Sequence, residues 1–408
     1  MPAVSGFRNS AFRNKAAIVG AGVVKSARHA DVPVGQLAIQ MSDAAIADAG
    51  LTRADIDGVA CGTSLPADGA ARALRPGFDI VNSEFLTSHM GLEPAWTLDT
   101  GSFPPALAYA VQAVASGAAS CVLVNRTVHN PAGRYHQFDG SAAAGRQQWT
   151  APYGFVGWIS GMAMSYMEYQ QRYGARREHM ATFVLQNRRI AQEIPEAYWH
   201  GRELTFDEYM TSRMISEPMC LFDNDIPVDG GGSFIVTTAD RARGLPHKPV
   251  YVTSWAKIRN QRRTAWAVPG TLGCLDDFYA CGFDLADRLW RGSGWRPDDV
   301  QVIQLYDGFA METWYWLEVL GFCPQGEAWR FIQDGHIAPD GPFPINTGGG
   351  NQAWGRLHGV PQVLECYRQL SGRAGKRQLA RAETAVSTYG DPAHEIGEVL
   401  LYAADPAT

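Results

Sequence analysis

The 408-residue sequence predicts an α/β fold assembled from two similar halves. Two observations carry that prediction: strand and helix patterns alternate along the chain, and one helix–turn–strand unit occurs twice. The first strand is read in "KAAIVGAGVV" (Lys15 to Val24), a run of β-branched and small residues. "VGQLAIQMSDAAIADAG" follows as a helix, with Leu37, Met41, Ala44 and Ala45 at helical spacing and Gly50 as its stop. "IDGVACGT" offers a second strand. Beyond "PAWTLDTGS" come an alanine-rich helix, "PALAYAVQAVASGA", and the strongly apolar strand "SCVLVNRTV". This order favours a largely parallel or mixed sheet.

The repeated unit is "FDLADRLWRGSGWRPDDVQVI" (Phe283 to Ile303), which lies on "IQMSDAAIADAGLTRADIDGV" (Ile39 to Val59) without a gap. Asp43 then meets Asp287, Gly50 meets Gly294 and Asp55 meets Asp299, and the helix, stop, turn and strand keep their order. A duplication places one half at residues 1–250 and the other at 251–408. The first half carries an aromatic-rich insertion at about 129–223, expected to cover the active site, with helices around Gly161–Tyr173 and His179–Ile194. "DNDIPVDGGGSFIVTT" returns the chain to the sheet.

Composition narrows the function. Hydrophobic residues make up 46% and charged residues 19%, as in a soluble globular enzyme. A net charge of -6 with no basic run gives nucleic acid no electrostatic footing. No stretch approaches the ~18 consecutive apolar residues of a membrane span. The cysteine count of 7 is odd and contains no CxxC pair, which argues against a disulfide scaffold or zinc site and for a reducing cytoplasm. The 10 histidines form no HExxH, so no metal is assigned. The 12 tryptophans and 15 tyrosines serve either a large core and subunit interface or a wide apolar pocket for a bulky substrate.

Several short stretches recur in one order: "IVGAG", "AGLTRADIDGV", "ASGAASCVLV", "SRMISEPMCLFDNDIPVDGGGSFIVTT", "YDGFA" and "INTGGGNQAWGRLHG". Together they resemble the thiolase superfamily over nearly the whole chain. The nearest likeness is to the sterol-carrier-protein-type thiolases and the related steroid side-chain aldolases. The resemblance implies a thiolase-like five-layered αβαβα fold with helix N-termini aimed at a central site, a homodimer, and an acyl-CoA substrate. Coenzyme A would enter as part of that substrate, with no separate cofactor. The aldolases work with a small protein carrying a zinc ribbon and an oligonucleotide-binding-type (OB) fold, so a heteromeric complex is implied too.

The family's catalytic positions have been rewritten in this chain. The cysteine nucleophile's position falls on Thr100 in "LDTGSF", with Ser102 the other nearby hydroxyl. Thr100 is either an unusual nucleophile or a cap for the following helix. The "NEAF" or "HD.F" loop reads "YDGFA", putting Tyr306 at the polar position and giving Asp307 a structural role. Tyr306 either packs, or serves as an acid through a phenol whose ordinary pKa is about 10.

In the "NxxGG...GHP" loop the base is expected 10 residues after Asn346, where Arg356 stands. The related aldolases carry tyrosine there. Arginine cannot act as a base, but it can stabilise an oxyanion. His358, two places on and pointing away from Arg356 if the segment is helical, is either the surviving base or a helix-start histidine bonded to backbone. Asn346, Gly348, Gly349 and Gly350 are the candidate oxyanion and substrate-binding positions, although tight turns alone explain such glycines. The arginines of "NRR" and "RNQRR" either meet CoA phosphates or lie solvated. Near the C-terminus "VSTYGDP" offers Ser387, Thr388 and Tyr389, but not the family's second thiol.

Claisen chemistry through an acyl-enzyme needs what this chain lacks. Retro-aldol cleavage of a bulky, steroid-like β-hydroxyacyl-CoA needs only an acid/base group and an oxyanion site, which Tyr306 and His358 suit. The alternatives are an acyltransferase or atypical thiolase using Thr100 or Ser102, and a non-catalytic acyl-CoA-binding subunit.

Overall fold

A computed structural model describes residues 12–63, 73–130, 148–149, 151–155, 157–259, 275–390 and 396–407. Its strands are β1 (Ala16–Val23), β2 (Gly58–Gly62), β3 (Trp96–Thr100), β4 (Cys121–Val128), β5 (Met214–Ser216), β6 (Met219–Cys220), β7 (Gly230–Thr238), β8 (Val250–Arg259), β9 (Val302–Gln304), β10 (Thr384–Gly390) and β11 (Ile396–Ala403). Its helices in the first half of the chain are α1 (Val34–Asp48), α2 (Ser83–Met90), α3 (Phe103–Ser116), α4 (Gly157–Tyr173), α5 (Arg177–Ala191), α6 (Phe206–Met210) and α7 (Ala239–Ala242). They are followed by α8 (Leu275–Ser293), α9 (Ala310–Val319), α10 (Ala328–Gln333), α11 (Gly350–Trp354) and α12 (Val360–Leu370). Among the described residues no helix is long and apolar enough to cross a membrane.

Period-two alternation builds the layers. Ala17 and Val19 of β1 join an apolar cluster with α1 and α2, while Ala16 and Ile18 point into a second cluster with α3 and α12. The other half repeats the device. Leu400 and Tyr402 of β11 enter the second cluster, and Val399 and Leu401 enter a third with α8 and α9. Helices, sheet, helices, sheet, helices: these are the five αβαβα layers. The strands run β3-β2-β4-β7-β1-β8-β11-β10-β9, a mixed sheet in which β2 pairs parallel with β3 and β4, and β9 parallel with β10. The two expected sheets are therefore continuous, joined where β1 meets β8 through Ala17–Tyr251 and Ile18–Val250. α3 sits in the fold between them, touching β2, β4 and β7 on one side and β11 on the other.

The duplicated unit keeps its turn. Gly50 and Gly294 both stop their helices in the left-handed region, at φ 68° and 76°. Thr52 N donates to Asp55 Oδ2 at 2.8 Å, and Arg296 N to Asp299 Oδ2 at 2.7 Å. The predicted apolar face of α1 is right for Leu37, Met41 and Ala45. Ala44 is exposed, and Ala38 and Ile46 complete that face instead.

The inserted helices α4 and α5 begin a few residues earlier than the sequence suggested. Tyr166, Tyr169, Met180 and Phe183 pack them into the third cluster, with α8 and α9 of the other half. α5 also lies against α11, so it supports the site from behind. Residues 131–147 of the insertion are outside the described set.

Glycine sets the distance between β1 and α1. A Cβ on Gly20 would lie 2.4 Å from Ala45 O, and one on Gly22 would lie 2.2 Å from Met41 O. Gly22→Ala should force the helix off the sheet and cost about 1–3 kcal/mol, the usual penalty of overpacking. Chemical denaturation would measure it, and an unchanged midpoint would contradict this packing.

Candidate active site

The site forms where the central helices start. Gly359 precedes α12 at φ 91°, and a Cβ there would lie 3.3 Å from both Pro104 of α3 and Tyr389 of β10. Two helix N-termini and the end of a strand thus converge, concentrating partial positive charge. The loop 355–359 lies flat on β7 because the glycines there leave room. A Cβ on Gly232 would approach Val360 to 2.7 Å, and one on Gly230 would approach Leu357 to 3.4 Å.

That loop corrects one expectation. Arg356 and His358 do not start a helix: Leu357 N bonds back to Gly355 O at 2.8 Å, and His358 adopts a left-handed φ of 53°. The turn brings both side chains toward one group, Arg126 of β4. Arg126 is 1% exposed. Its Nη1 donates to Gly62 O at the end of β2 at 2.5 Å, and its Nη2 pairs with His358 Nδ1. Burial pulls the guanidinium down to about 10, while the Tyr389 and Tyr306 phenols raise it and Arg356 lowers it. It remains a cation at neutral pH.

Tyr306 is buried. Its backbone N–H donates to Thr388 Oγ1 at 2.7 Å, and its ring meets Tyr389 edge-on, centroids 4.9 Å apart. The phenol folds back over Gly308, where a Cβ would sit 2.7 Å from the hydroxyl. Strand β10 therefore supplies Thr388 to hold Tyr306 and Tyr389 to face it. Ser387 instead bonds Tyr402 at 2.8 Å within the core.

The expected oxyanion cradle holds a carboxylate of the protein itself. Asp307 accepts from Asn351 N at 2.7 Å, Gln352 N at 3.2 Å, Gln362 Nε2 at 2.9 Å and Asn187 Nδ2 at 3.3 Å. A Cβ on Gly350 would lie 2.1 Å from Asp307 Oδ2, so glycine is required there, and its φ is 59°. Gly349 turns left-handed at φ 76°, and Gly348 makes room for Glu365. Asn346 serves the fold. Its Oδ1 accepts from Leu305 N at 2.7 Å, and its N–H donates to Ile303 O at 2.9 Å. Burial pushes the Asp307 carboxyl up to about 8, against the pull of its N–H donors. Gly350 thus shapes the floor of the site by seating Asp307.

At the old nucleophile position Thr100 ends β3 and does not cap α3. Its hydroxyl donates to Ser102 O at 2.5 Å, and Ser102 occupies the N-cap place without a side-chain cap bond. The nearest thiol, Cys61, shares the outer cluster with α1, and burial pushes it well up. The six described cysteines are buried, and no disulfide joins them. No cluster of metal-ligating residues occurs among the described residues. Of the "NRR" arginines, Arg188 is neither solvated nor open to phosphate: it is buried 3.6 Å from the Trp199 ring centroid. Of the "RNQRR" arginines, Arg259 ends β8, and Arg262 and Arg263 lie outside the described residues.

Arg126 is the residue that sequence reasoning passed over. Its signal was a charge inside the apolar run "SCVLVNRTV", which a strand buried on both faces does not accept without a purpose.

Fold and site together define a thiolase-type enzyme for CoA esters that has no cysteine at either thiol position. Residues 285–396 match the family described as "Thiolase C-terminal domain-like". Over 92% of its length the chain is 31% identical to the 17-hydroxy-3-oxo-4-pregnene-20-carboxyl-CoA lyase of Mycobacterium tuberculosis, of which 98% is covered. It is 29% identical to a steroid side-chain-cleaving aldolase of Thermomonospora curvata, again over 92% of this chain and 96% of that one. The solved Ltp2-ChsH2(DUF35) aldolase superposes with a TM-score of 0.81 at 28% identity, covering 97% of this chain and 99% of that one. The chain belongs to the thiolase superfamily and is one of its aldolases.

Gly350→Ala should be among the most damaging small substitutions here, because it sets a methyl into the Asp307 carboxylate and strains a left-handed residue. A loss of about 2–5 kcal/mol is expected from strain and overpacking together. Wild-type thermal stability in that variant would contradict the seat described for Asp307.

Proposed function

We propose that this protein catalyses retro-aldol cleavage of a bulky β-hydroxyacyl-CoA, with a steroid side chain as the acyl group. The observation that carries the reading is the gathering of Tyr306, Tyr389, Arg126 and His358 around the starts of α3 and α12, in a chain with no cysteine at either thiol position. A phenol beside a buried cation is a usable acid or base. Tyr306, entering the step as its phenolate, takes the β-hydroxyl proton as the Cα–Cβ bond breaks, and the electron pair passes to the thioester oxygen. The enolate then receives the proton at Cα. The aldolase and lyase names of the relatives support the same chemistry. Acyl-transferase names also occur among the relatives, but the hydroxyl at the nucleophile position, Thr100, is bonded to the backbone carbonyl of Ser102, which favours the aldol reading.

Tyr306→Phe keeps the ring and removes the proton, so cleavage of a CoA ester with a tertiary β-hydroxyl should fall about 10²- to 10⁴-fold. Full turnover in that variant would move the acid/base role elsewhere. Arg356→Ala should mainly raise KM. Thiol alkylation should leave activity nearly intact, because the described thiols are buried away from the site. Stoichiometric inactivation through one labelled cysteine would revive acyl-enzyme chemistry.

The reading extends to assembly. β3 is a sheet edge, bonded to β2 on one side, and we expect it to pair with a second copy in a homodimer. Light scattering at micromolar concentration should give twice 44.5 kDa, and a stable monomer would count against this pairing. The two-component name of the superposed aldolase supports a complex with a small zinc-ribbon, OB-fold protein. Described cysteines that no disulfide joins suit a cytoplasmic setting.

A further inference from the structure

The Arg126–His358 contact decides which way the histidine works. Arginine carries only N–H donors, so the nitrogen facing it must accept. His358 Nδ1 is that nitrogen. A neutral imidazole with Nδ1 as acceptor carries its proton on Nε2. To act as a base the ring would have to take a second proton at Nδ1, where Arg126 donates, or already lack the one at Nε2. Either change abolishes the contact or places an imidazolium against a buried guanidinium.

Arg126 cannot swing away to make room. Its other terminal nitrogen is held by Gly62 O at 2.5 Å, and the side chain is 1% exposed. The left-handed backbone at His358, followed by Gly359 at φ 91°, presents the ring to this partner. That conformation is unfavourable for a non-glycine residue, and such outliers persist where the surroundings impose them.

We propose that Arg126 is a positioning residue that locks His358 as a neutral Nε2–H donor, and that His358 binds the thioester oxyanion of the retro-aldol reaction without transferring a proton. The role rests on the reaction proposed above. The proton is then carried by Tyr306 alone, from the β-hydroxyl to Cα. His358 contributes one preformed hydrogen bond to the oxygen on which the enolate charge develops, beside the start of α12. Tyr389 and Arg356 complete the surroundings of the Arg126 charge.

The tautomer is read on the resting protein. In ¹⁵N-histidine-labelled enzyme, long-range ¹H–¹⁵N correlation should show one ring as the Nε2–H tautomer, assigned to His358 by its loss in His358→Gln. An Nδ1–H or imidazolium pattern for that ring at neutral pH overturns the proposal, whatever the substrate. Loss of activity should separate by chemistry. His358→Gln retains an amide donor in the place of Nε2–H and should keep turnover within roughly 10-fold. His358→Ala should lose about 10²- to 10³-fold in kcat, the range for one oxyanion donor. Equal loss in both makes His358 a base and sinks the idea.

Arg126→Ala should lower kcat to a similar extent and recover at least tenfold with millimolar guanidinium. If it does not fold, Arg126→Lys serves, with the His358 tautomer as its readout: a single ammonium cannot hold both Gly62 O and Nδ1, and the pure Nε2–H pattern should be lost. An unchanged pattern in Arg126→Lys would remove Arg126 from the role. A correct tautomer in a protein that cleaves no β-hydroxyacyl-CoA would instead overturn the reaction proposed above and leave the lock standing.

Discussion

The buried carboxylate of Asp307 ties the reacting end of the molecule together. It leaves the chain directly after Tyr306 and is gripped by N–H groups from α5, α11 and α12. A buried carboxyl group is tolerable only when such partners surround it, and removing one leaves polar atoms unsatisfied. The consequence runs in both directions. The loop carrying Tyr306 cannot shift without dragging the inserted helix α5, and the inserted helix cannot loosen without breaking these bonds. The glycines of "INTGGG" follow from this arrangement, because a side chain at position 350 would occupy the space of the carboxylate.

Much of the fold was legible, because core elements announce themselves. β1, β2, β4 and β7 are runs of small and β-branched residues, and the duplicated turn shows its Gly and Asp at matching places. β3 was silent. As an edge strand it alternates between half-exposed and exposed positions, and at five residues the Trp96–Leu98 alternation of "WTLDT" is too short to stand out. The site was legible in part. Tyr306 and His358 stand at aligned positions and do converge. Arg356 was expected to point away from His358, because a helix was assumed where the chain makes a left-handed turn. The glycines fit either ligand donors or tight turns, and no sequence rule says that an aspartate from a distant loop seats against Gly350. Arg126 depended on a register only the folded sheet reveals: it faces the start of α12 from a strand in the other half.

Losing two thiols has not produced an apolar remnant. The starts of α3 and α12, Arg126 and Arg356 all contribute positive potential to one small volume, and Tyr306 and Tyr389 offset it with polarisable phenols. A thiolase directs such a field onto a thiolate and an oxyanion. Here no thiolate stands at either family position, so the same field is available to whatever negative charge the substrate develops. The site's chemistry has moved from the nucleophile to the electrostatics.

The paired turns at Gly50 and Gly294 lie at the end of the sheet opposite this chemistry, where α1 hands over to β2 and α8 to β9. Each is closed by its own aspartate, within three residues of sequence. One rim of the molecule is thus a twofold scaffold maintained by local rules, while the other has shed its symmetry: one half presents arginine, the other tyrosine. Change at the reactive rim is mechanically insulated from the hand-over that sets the layers. An ancestral pair of equal halves could therefore exchange one reaction for another while its architecture stayed in place.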